Sequence, residues 1–147
     1  MTDAERGYTI TRVFDAPREL VWRAWTEPDQ FAQWFGGAGA SMKDMEMDVR
    51  PDGQWSGTMV IPGHPDIFWR GFYVEVEEPE RLVMVLSDEE LREPYETYSV
   101  TLTEVDGKTE QVLRQSGGNL TDEEYLEAKA GTGSFLDAMA QLVEGKS

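Results

Sequence analysis

Two glutamines, Gln111 and Gln115, are the residues of this sequence best placed to bring polar chemistry into a buried site. The segment before them alternates polar residues with three apolar ones, which predicts a strand with the apolar three facing inward. These three are Tyr98, Val100 and Leu102. The register of the following hairpin brings Gln111, Leu113 and Gln115 to the same face. Two amides would then face an otherwise apolar space, where a few donors and acceptors can orient a ligand.

The glutamines also have an interpretation without a ligand. Both side chains could lie near the strand ends in water, or they could hydrogen-bond to each other.

Large apolar side chains at strand and helix spacing extend the predicted lining. They are Trp55, Met59, Trp69, Tyr73, Phe135 and Met139. Residues two apart on a strand, and three or four apart on a helix, share a face, so these side chains are expected to point inward. Aromatic residues and methionines at these spacings also build an ordinary hydrophobic core. A cavity volume would separate the two interpretations.

The usual catalytic and metal-binding arrangements are missing from the sequence. His64 is the only histidine and lies in a Pro-Gly-His-Pro turn, where a histidine is usually solvated, so we expect neither a catalytic nor a metal-binding role for it. No cysteine is present, which excludes disulfides and thiolate zinc sites. Asp44, Glu46 and Asp48 alternate along one strand and could hold a hard cation or form a solvated face. We predict neither a metal nor a cofactor.

A buried carboxyl group could carry out general acid–base catalysis, because its shifted pKa suits proton transfer near neutral pH. Burial raises the pKa of a carboxyl group, so a buried Glu75 would be a candidate. An enzyme therefore stays open as an alternative, with no catalytic residue assigned.

Charge limits the range of partners. The 147 residues include 13 Lys and Arg against 29 Asp and Glu, a formal net charge of −16. A nucleic acid or an anionic membrane would be repelled, so we predict neither as a partner. No charged start followed by an apolar run is present, and no 18 consecutive residues are apolar. A soluble, cytoplasmic, acidic protein with one domain over residues 1–147 is expected.

The order of predicted elements indicates an α+β fold. A first strand at Tyr8–Phe14 precedes two short helices at Pro17–Thr26 and Asp29–Phe35. About six antiparallel strands follow, and a long helix at Thr121–Glu144 comes last. Thr121 and Glu124 have the spacing of a capping box at the start of this helix. A curved antiparallel sheet around the apolar face of the last helix is the expected architecture.

A family resemblance rests on four groups of segments. They are Val13–Trp22 with Trp25-Thr26 and Trp34-Phe35; Arg50–Gly53; Gly71 with Glu77–Leu82; and Val100–Glu104. In that order they resemble the opening signature, the arginine-proline-glycine-glycine hairpin, the glycine with its following proline turn, and the penultimate strand of one domain family. This is the domain named after the activator of Hsp90 ATPase, within the START-like (SRPBCC) superfamily. The resemblance covers the chain from about Ile10 to Val143 and is specific for fold, not for activity.

The resemblance implies a helix-grip fold. In that fold a seven-stranded antiparallel sheet grips the C-terminal helix, two small helices close one end, and an apolar cavity often lies between. The family commonly has glycine-tryptophan early in the last helix, whereas here Gly131 is followed by Thr132 and Gly133. The missing ring leaves either a wider pocket or a space that neighbouring aromatic residues refill.

Three functional hypotheses follow. The first is binding of a small apolar or aromatic molecule between the sheet and the last helix. The second is a cyclase- or hydrolase-like enzyme in the same cavity, as in some START-like relatives. The third is interaction with an Hsp90-type chaperone, which we expect to be absent because the chain lacks the second domain that precedes the homologous part of the eukaryotic activator. A homodimer stays open as an alternative to a monomer.

Overall fold

The structure is a computed structural model that describes residues 7–37, 39–88, 91, 95–118 and 120–145. Its seven strands are β1 (Gly7–Phe14), β2 (Ser41–Met47), β3 (Gln54–Val60), β4 (Ile67–Glu77), β5 (Arg81–Val85), β6 (Thr97–Val105) and β7 (Lys108–Ser116). Its helices are α1 (Arg18–Thr26), α2 (Pro28–Trp34) and α3 (Asp122–Val143). The predicted α+β order is confirmed, with two short helices after the first strand and a long helix at the end.

All seven strands form one antiparallel sheet in the order β1-β7-β6-β5-β4-β3-β2. Every neighbouring pair is consecutive in sequence except β1 and β7. The last strand therefore returns beside the first, and the chain then enters α3, which packs against β1, α1 and α2. This is the predicted helix-grip fold, in which the sheet curves around the C-terminal helix.

Helix α3 begins with the predicted capping box. The Glu124 backbone N–H donates to Thr121 Oγ1 at 3.1 Å, and the Thr121 backbone N–H donates to Glu124 Oε1 at 2.9 Å. Two amides at the helix start are thereby satisfied. None of the helices in the described ranges is long and apolar enough to cross a membrane.

A bulge in β2 changes which side chains share a face. The register with β3 shifts between Lys43 and Glu46, where Asp44 adopts a φ of 56°. Asp44, Glu46 and Asp48 are nevertheless all exposed, whereas Met45, Met47 and Val49 pack against the core, as expected for a solvated face. The described residues contain no group of three His, Cys, Asp or Glu side chains placed to hold a metal ion.

Candidate ligand-binding site

The last hairpin has the predicted register. Its inward-facing cross-strand pairs are Tyr98 with Gln115, Val100 with Leu113, and Leu102 with Gln111. All six side chains are buried, and Gln111 and Leu113 are fully inaccessible to solvent. The expectation that two amides share a face with apolar residues is confirmed, and the alternative that they lie in water is wrong.

Gln111 is held by a helix rather than by the other glutamine. Its Oε1 accepts a hydrogen bond of 2.8 Å from Trp25 Nε1, and the Trp25 ring packs edge-on against Tyr98 with centroids 6.1 Å apart. This bond fixes the orientation of the amide, because the acceptor end must face the indole N–H. Gln111 Nε2 is buried and has no hydrogen-bond partner in the described part of the chain.

Gln115 belongs to a polar cluster centred on Thr132 of α3. Tyr8 Oη lies 2.6 Å from Gln115 Oε1 and 2.6 Å from Thr132 Oγ1. Tyr98 Oη lies 2.9 Å from the same threonine oxygen. Gln115 Nε2 donates to Glu96 Oε1 at 2.8 Å. We refer to Tyr8, Glu96, Tyr98, Gln115 and Thr132 as the Thr132 cluster.

Thr132 occupies the position where the related family commonly has tryptophan. It is only 3% exposed, and the hydroxyl groups of Tyr8 and Tyr98 converge on it. We expected either a wider pocket at this position or a space refilled by neighbouring aromatic residues. The structure shows the second, because Tyr8 and Tyr98 reach Thr132. Sequence analysis did not assign Tyr8 or Glu96 to the site. The alternation of the first strand places Tyr8 on the inward face and could have identified it. No sequence pattern pointed to Glu96.

Three buried tyrosines, Tyr8, Tyr73 and Tyr98, stay protonated at neutral pH because burial raises the pKa of each. Burial raises the pKa of Tyr8, Tyr73 and Tyr98 above the usual tyrosine value, because desolvation penalises the phenolate. In Tyr98 this effect outweighs the hydrogen bonds from Thr132 and Tyr8, which lower the pKa. These phenols therefore serve as neutral hydrogen-bonding groups.

Three of the remaining predicted lining residues, Trp55, Trp69 and Phe135, meet around Phe35. Trp55, Met59, Tyr73 and Met139 are buried, and Trp69 and Phe135 are half-buried. The Phe35 ring lies 5.2 Å from the rings of both Trp69 and Phe135, and 6.1 Å from Trp55. Phe35 thus joins predicted residues of β3, β4 and α3 into one aromatic wall, although it was not among the predicted lining residues.

Two further polar atoms in this interior have no partner. Trp69 Nε1 and Tyr73 Oη are buried and unpaired within the described residues. By contrast, Trp55 Nε1 donates to the backbone oxygen of Val85 at 2.8 Å. Trp69 and Tyr73 lie on the same inward face of β4. Trp69 pairs with Gly57 of β3, and Tyr73 pairs with Met84 of β5.

The ionisable candidates lie outside this interior. His64 is exposed in its turn. A second bulge, between Tyr73 and Glu75, leaves the Glu75 carboxylate 38% exposed and 3.0 Å from Arg81 Nε. The expectation that Glu75 could be a buried carboxyl group is therefore wrong.

A separate cleft of about 650 Å³ runs along the outward stripe of α3. Its lining residues are Gln33, Gly37, Gly39, Ala40, Ser134, Asp137, Ala138, Gln141, Leu142 and Gly145. None of the predicted site residues lines it. The helix residues of this cleft include Ser134, Asp137 and Gln141. Because the helix turns by about 100° per residue, they face away from the buried side of α3 that carries Thr132, Leu136 and Met139.

Solved structures share this fold along nearly the whole chain. Protein NE0264 from Nitrosomonas europaea is 23% identical with a TM-score of 0.82, and the match covers 99% of this chain and 98% of that one. Protein CV1439 from Chromobacterium violaceum is 24% identical with a TM-score of 0.82, covering 94% and 97%. Protein Ms6760 from Mycobacterium smegmatis is 20% identical with a TM-score of 0.80, covering 97% and 93%. At these identities the similarity establishes the fold alone.

Sequence comparison identifies the family. No functionally curated protein matches the chain. Residues 15–144 match the family described as activator of Hsp90 ATPase homolog 1-like protein, and this range includes α1, α2, strands β2 to β7 and α3. The chain belongs to the activator of Hsp90 ATPase homolog 1-like protein family.

Proposed function

We propose that this protein binds a small apolar or aromatic molecule between the sheet and α3. The proposed lining is Trp55, Met59, Trp69, Tyr73, Tyr98, Gln111, Leu113, Gln115, Phe135 and Met139. The observation that carries the proposal is the set of unpaired polar atoms in this apolar interior, namely Gln111 Nε2, Trp69 Nε1 and Tyr73 Oη.

These atoms matter because burial without a partner is costly. An unsatisfied buried donor costs about 1–3 kcal/mol, and nearby protein groups normally prevent that cost. The other proposed lining residues are aromatic or aliphatic apart from Gln115, which is already hydrogen-bonded to Tyr8 and Glu96. A ligand that enters with apolar surface and a few acceptor atoms would recover this energy, which is the usual composition of a small-molecule site.

The distribution of charge favours binding over acid–base catalysis. Buried polar residues in the described ranges are Thr109, Gln111, Gln115 and Thr132, with no Asp, Glu, Lys, Arg or His among them. The buried tyrosines have raised pKa values and are poor bases near neutral pH. A cyclase- or hydrolase-like reaction would require an ionisable group at the ligand, so we rank it below binding.

Native mass spectrometry of the purified protein tests the proposal first. A native mass above the denatured mass would reveal a co-purifying molecule. A thermal-shift screen of apolar and aromatic metabolites should then give midpoints that rise with dose, as mass action requires. Gln111→Leu should reduce the shift, while Val13→Thr on an exposed face of β1 should retain it. An unliganded protein with no shift in the screen would contradict the proposal.

Two further expectations complete the proposal. We expect no chaperone partner, although the family description refers to activation of the Hsp90 ATPase. Enrichment of a chaperone in a pull-down, together with a raised ATPase rate, would overturn this expectation. We also expect a cytoplasmic location, which cell fractionation would test.

A further inference from the structure

The outer face of β2, β3 and β4 carries a charged row that crosses the three strands. Ser56 of β3 pairs with Glu46 of β2 on one side and with Arg70 of β4 on the other. The neighbouring pair of Met47 and Trp55 packs in the core, so the row of Ser56 lies on the opposite, outer face. Neighbouring strands lie about 4.8 Å apart, which separates Glu46 and Arg70 by about 10 Å. The two charges therefore lie on either side of a small residue.

Arg70 differs from the other arginines in the ranges that the structure describes. The others each contact an oxygen of another side chain; they are Arg12, Arg18, Arg23, Arg50, Arg81 and Arg114. Among the described residues, Arg70 has no ion pair and no side-chain hydrogen bond, and its guanidinium carbon lies 4.7 Å from the centroid of the Phe68 ring. Glu46 is exposed and also has no such partner in those ranges.

A second row on the same face contains an exposed aromatic ring. Thr58 of β3 pairs with Lys43 of β2 and with Phe68 of β4. The Phe68 side chain is 45% exposed, and Lys43 Nζ lies 3.6 Å from Asp66 Oδ2. Each row thus has a small hydroxyl residue in β3 between longer side chains of β2 and β4.

The two rows are complementary to a second copy of themselves. A two-fold axis parallel to β3 places β2 of one copy opposite β4 of the other. Glu46 then faces Arg70 of the second copy, which gives a carboxylate–guanidinium pair. Lys43 faces Phe68 of the second copy, which gives a cation–π contact. Each contact occurs twice, as in an isologous interface.

The curvature of the sheet fits this arrangement. Because the sheet curves around α3, its outer face is convex, and two such faces approach most closely along one strand. Ser56 and Thr58 are small and allow a close approach at β3. The longer side chains lie on the neighbouring strands, where the gap between two convex faces widens.

The charge of this face allows two copies to approach. The whole chain has a formal net charge of −16. On this face, however, Lys43 and Arg70 stand against Asp44, Glu46 and Asp66, so positive and negative charges nearly balance. A second copy also supplies both the carboxylate and the cation that the two rows require, whereas a partner with charges of one sign supplies only one of them.

We propose that the outer face of β2, β3 and β4 is a self-association surface, on which a second copy of this chain docks with Glu46 against Arg70. The paired segments cover about 20 Å by 10 Å, since a strand rises about 3.4 Å per residue. An interface of this size is at the small end of specific contacts, so the dimer exchanges with the monomer. The surface lies on the opposite side of the sheet from the proposed ligand site and does not depend on the proposed function.

Sedimentation velocity over protein concentrations from about 10 μM to 1 mM tests the proposal, because weak dimers dissociate in this range. The unsubstituted protein should show a dimer whose fraction rises with concentration. Glu46→Arg and Arg70→Glu should each raise the dissociation constant by about tenfold or more, since each sets like charges against each other at both contacts. Circular dichroism checks that each variant is folded.

Controls with the same charge changes lie on another part of the sheet. Glu110 and Lys108 are exposed residues of β7. Glu110→Arg and Lys108→Glu should leave the dissociation constant unchanged. Equal effects of these controls and of the β2 and β4 variants would show a dependence on net charge alone and would overturn the proposal.

Mixing the two single variants gives the sharpest test. In a dimer of one Glu46→Arg chain and one Arg70→Glu chain, opposite charges face each other at both contacts. An equimolar mixture should therefore form dimers with a dissociation constant within about threefold of that of the unsubstituted protein. A monomer at every concentration, a dimer insensitive to both single variants, or a mixture without recovery would each overturn the proposal.

Discussion

The Thr132 cluster and the Gln111 region lie on the same inner face of β7 but treat a buried amide in opposite ways. Gln115 uses its oxygen and its nitrogen, on Tyr8 and Glu96. Gln111 uses its oxygen on Trp25 and leaves its nitrogen unpaired among the described residues. A fully bonded amide stabilises the fold, whereas a half-bonded one costs energy until something binds. The comparison teaches that burial alone does not distinguish a structural polar group from a binding group.

Replacing Thr132 with the family's tryptophan should have the largest effect. The hydroxyl groups of Tyr8 and Tyr98 already lie within 3 Å of Thr132, which is 3% exposed. The larger ring would overpack the cluster and break its hydrogen bonds, so Thr132→Trp should lower the free energy of unfolding by about 3 kcal/mol. Urea denaturation measures the loss. Unchanged stability would show that the cluster is loosely packed.

The two glutamines should differ when each is replaced by leucine. Gln115→Leu removes the hydrogen bonds of Gln115 with Tyr8 and with Glu96 and should cost about 2 kcal/mol. Gln111→Leu removes an unpaired donor but leaves Trp25 Nε1 without its acceptor. The net loss of unfolding free energy should therefore be below about 1 kcal/mol. Paired denaturation curves give the difference. Equal costs for the two variants would contradict the distinction between the regions.

Alkaline pH should weaken the fold through the buried tyrosines. Burial raises the folded pKa of Tyr8, Tyr73 and Tyr98 above the unfolded value of 10.0. A raised folded pKa gives stability that is fully present below pH 10 and is lost as pH rises toward the folded pKa. Each such tyrosine should add a slope of at most about 1.4 kcal/mol per pH unit above pH 10.

Variants assign this pH dependence to the two regions. Tyr8→Phe with Tyr98→Phe removes the two tyrosines of the Thr132 cluster, and Tyr73→Phe removes the third. Unfolding free energies measured from pH 8 to 11 should show the larger reduction in slope for the double variant. A slope unaffected by all three changes would rule out these tyrosines as its source.

The smallest effect is expected from the glycines that flank Thr132. A Cβ added at Gly131 or Gly133 meets no atom within 4 Å. Gly131→Ala and Gly133→Ala should therefore stabilise α3 by about 0.5–1 kcal/mol each, from helix propensity alone. Gly37→Ala is the contrasting control, because Gly37 has a φ of +76° and a Cβ there would lie 2.9 Å from Ser134 Oγ. Thermal unfolding should show gains for the first two and a loss for the third.

Local patterns predicted most of the fold. Alternation located the strands, and the capping box located the start of α3 at Thr121. The hairpin register placed Gln111 and Gln115 on one face, as observed. The alternation failed at Glu75, because a bulge there inserts one residue and reverses the face of those that follow.

The sequence by itself determined the order of elements, the inward faces of most strands and the polar residues available to the interior. The tertiary structure decided which of these residues are satisfied. Tyr8 is separated from Gln115 by 107 positions and from Thr132 by 124. Periodicity extends only over neighbouring residues, whereas these hydrogen bonds depend on β7 returning beside β1 and on α3 packing against β1. The distinction between the bonded Gln115 and the half-bonded Gln111 exists only after that packing.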